Sequence, residues 1–142
     1  SNTRQQMSYD LIGKLADAGV HLNITAILTL EQVNAVADAV KNGPASVVSV
    51  FAGRIADTGL DPVPLMSKAL EILEVAPQAE LLWASPREVL NIYQADAIGC
   101  HIITATNDII RKLSLSGKDL AQYSLETVQM FYDDASRAGY QL

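Results

Sequence analysis

Apolar positions along the chain recur with two alternating periods. Between Asn2 and Ala18, Met7, Leu11, Leu15 and Ala18 fall three or four residues apart, which predicts a helix. Asn2, with Gln5 three residues on, is placed to cap it, and Gly19 to stop it. His21 to Leu28 predicts a strand in which Leu22, Ile24 and Leu28 alternate with Asn23 and Thr25. Thr29-Leu30-Glu31-Gln32 has the form of a capping box and opens a helix through Val33, Val36, Ala37 and Val40. Val47 to Gly53 predicts a second strand, and Val63 to Val75 a helix closed by Pro77. Ala79 to Ala84 is a third strand. Ser85-Pro86-Arg87-Glu88 predicts the next helix start, with Ser85 as cap and Pro86 at the first helical position. A fourth strand over Cys100 to Thr106 follows, then a short helix from Asn107 to Leu115. A last helix runs from Ser124, or from Lys118, to Ala138.

Strands and helices thus alternate at short intervals, the pattern of parallel βα units, so the expected class is α/β. The first two strands mix polar with apolar positions, as in Val48-Ser49-Val50. Strands covered on both faces favour continuous apolar runs, whereas a barrel interior tolerates polar residues near its mouth. The second half of a (β/α)8 barrel, strands five to eight with their helices and a terminal helix, is therefore expected over residues 1–142.

Composition narrows the classes. With 142 residues, 49% of them hydrophobic, the chain can bury a core. A net charge of −6 argues against a nucleic-acid partner, because no basic patch exists to displace counterions from phosphates. Charged residues interrupt every long apolar stretch, so no membrane partner is expected. Cys100 is the only cysteine, which fits a reducing, cytoplasmic setting. The opening Ser1-Asn2-Thr3-Arg4-Gln5-Gln6 has neither a secretion-signal core nor an initiator methionine, so an upstream segment is expected.

Metal and cofactor motifs are absent: His21 and His101 lie far apart, and Cys100-His101 is not spaced for chelation. Cys100, at a strand start, is assigned no catalytic role. The notable residues are polar ones at strand ends. Asn23 and Thr25 share a face of the first strand, and Ser49 and Phe51 a face of the second. Arg54, Ser85 and Arg87 follow the carboxyl ends of the second and third strands, on the rim where barrels bind ligands. Two guanidinium forks and a helix start would suit a phosphate monoester. Each residue has a plainer reading as well. Arg54 would pair with Asp57 or Asp61, Ser85 would only cap a helix, Asn23 and Thr25 would bond within a barrel, and Phe51 and Trp83 would be core.

The segments Leu22-Asn23-Ile24-Thr25, Ser49-Val50-Phe51-Ala52-Gly53-Arg54-Ile55 and Ala84-Ser85-Pro86-Arg87 resemble the fifth, sixth and seventh strand motifs of transaldolases and fructose-6-phosphate aldolases. The resemblance implies a (β/α)8 barrel in which a fourth-strand lysine forms a Schiff base with a ketose and retains a dihydroxyacetone unit. It implies sugar-phosphate substrates and no cofactor or metal. Asn23 and Thr25 would contact the three-carbon unit or a catalytic water, Ser49 would line the same pocket, and Arg54, Ser85 and Arg87 would hold phosphate. The aldolase branch carries tyrosine where this chain has Phe51, so Phe51 favours the transferase; an aldolase and a non-catalytic barrel fragment remain the alternatives. Lys14, Lys41, Lys68, Lys112 and Lys118 all fall on predicted helices or turns, which would place the Schiff-base lysine upstream of Ser1. By itself this chain would be inactive, and its partner would be the missing half or a second copy. The final helix, with Tyr123, Val128, Met130, Phe131 and Tyr132, carries apolar surface beyond what barrel closure needs.

Overall fold

A computed structural model describes residues 1, 3–4 and 6–140. The chain divides into two compact units, Ser1–Ile110 and Arg111–Leu142. The first holds a four-stranded sheet of β1 (Asn23–Ile27), β2 (Ser46–Val50), β3 (Ala79–Trp83) and β4 (Ile102–Ile103), all parallel and ordered 1-2-3-4. Helices α1 (Tyr9–Asp17), α2 (Leu30–Val40), α3 (Ala52–Ala56), α4 (Pro62–Leu73) and α5 (Leu90–Ala97) precede or link the strands. Spatial order that follows chain order belongs to barrels, whereas a doubly wound sheet reverses direction at a switch point.

Register sorts the side chains onto two faces, because residues paired across parallel strands point the same way. Ile24 lies beside Val48, and Val48 beside Leu81; Val50 lies beside Trp83, and Trp83 beside Ile103. These residues form or join the core with Val33, Val36 and Val40 of α2 and Met66, Ala69 and Leu73 of α4. The opposite face carries Asn23, Val47, Ser49, Glu80, Leu82 and Ile102, none of which belongs to that core. The helices therefore cover one face, as the outer ring of a partial (β/α)8 barrel does.

A bulge corrects the reading of the first strand. Ile24 pairs with Val48 but Ile27, not Ala26, pairs with Val50, so one extra residue is inserted. Ala26 takes the left-handed conformation at φ 61°. The inserted residue reverses the alternation, which sends Ile27 into the core and leaves Leu28 exposed. The first helix also differs from expectation. Of its residues Tyr9, Ile12 and Ala16 meet the core, while Met7, Leu11 and Ala18 are exposed. The predicted cap at Asn2 and its Gln5 lie outside the described residues. At the other end Gly19, at φ 79°, lets its own N–H and that of Val20 return to the carbonyls of Ala16 and Leu15 at 2.9 and 3.0 Å.

Four further boundaries can be set against the sequence. Thr29 and Gln32 form the capping box reciprocally, as read from the sequence. β2 ends at Val50, and residues predicted as strand through Gly53 turn instead into α3. The helix after β3 starts at Leu90 rather than at Ser85. Ser85 adopts the left-handed φ of 58°, and Pro86 to Val89 stay outside the helix. β4 is two residues long, shorter than the predicted Cys100–Thr106. Trp83 is fully buried in the core, as its plainer reading has it.

In the second unit the end of α6 (Asn107–Lys112) leads through a 3-10 turn (Leu113–Leu115) to α7 (Leu120–Arg137). Asp119 caps α7 by accepting from the Gln122 N–H at 2.8 Å. Leu125, Val128 and Phe131 are exposed along it.

Candidate functional site

The sheet face not covered by helices brings two of the predicted residues together. Ser49 pairs in register with Leu82, and Asn23 lies one strand over. The buried Ser49 hydroxyl donates to Asn23 Oδ1 at 2.6 Å. A buried hydroxyl needs such a partner, and the bond fixes the Asn23 amide so that its NH2 remains available as a donor. Thr25 follows on the same strand, exposed beside the strained Ala26, and shares a narrow cleft with Ser8, Tyr9 and Gln32. Strained backbone of this kind collects at functional sites.

Past the ends of β2 and β3 the chain builds a second cluster. The loops touch through backbone: the Gly53 N–H donates to the Ala84 carbonyl at 3.2 Å, and the Ala84 N–H to Val50 at 2.8 Å. A Cβ on Gly53 would stand 1.5 Å from the Ser85 carbonyl oxygen, so only glycine permits this approach. Arg54 rides on α3 with its guanidinium 5.0 Å from the Phe51 ring centroid. Among the described residues it has no carboxylate partner. The plainer reading, in which Arg54 pairs with Asp57 or Asp61, is overturned. Asp57 pairs with Arg87, and Asp61 caps α4 by accepting from the Val63 N–H at 2.9 Å.

Arg87 is held differently from the expectation. It precedes α5 rather than occupying its first turn, and its N–H donates to Asn91 Oδ1 at 2.7 Å. The same oxygen accepts from the Glu88 N–H at 3.2 Å. The backbone donors proposed for an anion are thus taken by a buried asparagine, and Ser85 caps no helix. The negative charge beside Arg87 is the Asp57 carboxylate, in a half-exposed ion pair. Ser85, Pro86 and Arg87 line one wall of an open cleft of about 340 Å³, with Thr104, Ala105 and Thr106 opposite. Sequence reasoning gave Asp57 the wrong arginine and missed Asn91 and the two threonines. For Asn91 the signal was present, since an asparagine four residues after Arg87 is spaced to cap backward.

The five lysines stand where their sequence context put them. Lys14, Lys68 and Lys112 are in helices, Lys41 ends α2, and Lys118 precedes α7. None lies in a strand. The Cys100 thiol donates to the Leu81 carbonyl at 3.4 Å, and burial raises its pKa. It is partly buried and packs against the core. Among the described residues no group of three His, Cys, Asp or Glu could hold a metal ion, and no helix is long and apolar enough to cross a membrane.

The sequence profile of the Transaldolase/Fructose-6-phosphate aldolase family matches residues 5–142. A protein named probable transaldolase from Streptococcus equi subsp. zooepidemicus (strain MGCS10565) is 33% identical over 101 residues, covering 70% of this chain and 45% of that protein. Another probable transaldolase, from Streptococcus pyogenes serotype M5 (strain Manfredo), shows the same identity and coverage. The chain therefore spans less than half the length of these curated relatives.

Proposed function

The chain belongs to the transaldolase/fructose-6-phosphate aldolase family, and from that premise we propose that it supplies strands five to eight of a transaldolase-like barrel. The intact protein moves a dihydroxyacetone unit between sugar phosphates. A lysine upstream of Ser1 attacks the ketose carbonyl and loses water to form the imine. Carbon–carbon cleavage then releases an aldose phosphate and leaves the three-carbon unit as an enamine. The acceptor aldehyde takes that unit, and hydrolysis returns the lysine.

Each candidate residue has a task in this scheme. Asn23 and Thr25 hold the three-carbon unit and the water that carries protons, and Ser49 fixes the Asn23 amide from behind. Arg54, Ser85 and Arg87 bind the phosphate. The observation that carries the reading is the polar array itself. The Asn23–Ser49 pair lies on the sheet face not covered by helices, and two arginines lie on loops that touch at Gly53. The lysine positions support a Schiff base formed outside this chain, and so does the partial coverage of the relatives. The name carried by those relatives and the phenylalanine at Phe51 support transfer over release to free aldehydes. An aldolase of the same family is the second reading.

Arg54→Ala in the full-length protein tests the phosphate assignment. Phosphorylated ketoses should lose on the order of 2 kcal/mol of binding, the worth of a charged hydrogen bond, while unphosphorylated ketoses are little affected. Equal losses for both would remove Arg54 from that role.

A further inference from the structure

We propose that Asp57 is a positioning residue that holds the Arg87 guanidinium ready for the phosphate of the substrate. This inference rests on the phosphate reading of the rim and assigns the carboxylate a part in it.

The Gly53–Asp57 turn and the anchoring of Arg87 carry it. Asp57 follows the last residue of α3, and its N–H donates back to the Gly53 carbonyl at 3.0 Å. The turn that carries Arg54 therefore also carries the anchor of Arg87. Arg87 is fixed at both ends, its backbone N–H on the buried Asn91 and one terminal nitrogen on Asp57. A guanidinium offers five N–H donors in a rigid fork, so one such contact leaves most of them for a ligand. A long side chain that is already oriented loses less rotamer freedom when the anion arrives.

A nearby carboxylate also repels an incoming phosphate. Both partners here are about half exposed to solvent, at 50% and 53%, so water and salt screen that repulsion. Orientation outweighs it, and the sign of the effect of Asp57 on phosphate affinity separates a positioning group from a competitor.

The test uses the full-length protein with inorganic phosphate as ligand, titrated by calorimetry. The Arg87 Nε–Hε resonance is followed by NMR, and thermal midpoints serve as folding controls. Arg87→Ala should abolish most phosphate binding. Asp57→Ala should weaken it about fivefold, the upper range for an exposed ion pair, and should broaden the Arg87 signal. Asp57→Asn keeps an acceptor oxygen without the charge and should fall between Asp57→Ala and the native protein. If Asp57→Ala and Asp57→Asn bind phosphate as tightly as the native protein or more tightly, while Arg87→Ala does not bind, the positioning role is wrong and the phosphate site stands. If the native protein does not bind phosphate, or Arg87→Ala binds it equally well, the phosphate reading fails and this inference with it.

Discussion

At the candidate site, the polar side chains are either paired or presented. Ser49 and Asn23 are paired, and Arg54 is presented over the Phe51 ring. Phe51→Tyr should raise aldol release with free glyceraldehyde as acceptor in the full-length protein, measured as ketose formed without a phosphorylated partner. No gain would weaken the transferase assignment. Cys100 makes a prediction about pH. Burial raises its pKa in the folded state, so the fold binds this proton more tightly than the unfolded chain does. Its contribution to stability is complete below the ordinary thiol pKa and is lost as pH rises through the folded value. Thiol-reagent labelling at neutral pH should therefore be slower in the folded protein than in the unfolded chain; equal rates would contradict the raised pKa. Candidate residues were legible singly because strand alternation and motif spacing mark them. Their partners were not, since the pairing of Arg87 with Asp57 joins residues 30 apart through a loop contact.

Elements were legible where local chemistry sets them. The Thr29 box and the alternation of β2 needed no tertiary information. Two places failed because a contact between loops in one, and a register shift between strands in the other, override local preference. Ser85-Pro86-Arg87-Glu88 has the composition of a helix start, but the Ser85 carbonyl is committed to the approach of Gly53, and Asn91 takes the free N–H groups. The bulge at Ala26 inverts the face of Ile27, and no residue type announces it. Gly53→Ala should consequently cost about 1–3 kcal/mol in thermal or denaturant unfolding, because the loops after β2 and β3 must separate. Thr29→Ala should cost about 1 kcal/mol, the typical loss of an N-cap side chain. A neutral Gly53→Ala would mean that the loop contact is not maintained.

Across the whole molecule the parallel order 1-2-3-4 and the single helix-covered face define a partial barrel. β1 and β4 each have one strand neighbour, and an unpaired edge invites another chain. The face that carries Asn23 and Glu80 lies opposite the helix-covered core. The fold class was readable because the βα alternation is regular. The expectation of an incomplete barrel rests on the lysines, whose helix and turn positions leave none at a strand end. That gap gives the most direct test of the account. Borohydride reduction of the full-length protein with fructose 6-phosphate, followed by peptide mapping, should place the covalent adduct on a lysine N-terminal to Ser1. Lys14, Lys41, Lys68, Lys112 and Lys118 should stay unmodified. An adduct on any of these five, or none anywhere in the full-length protein, would contradict it.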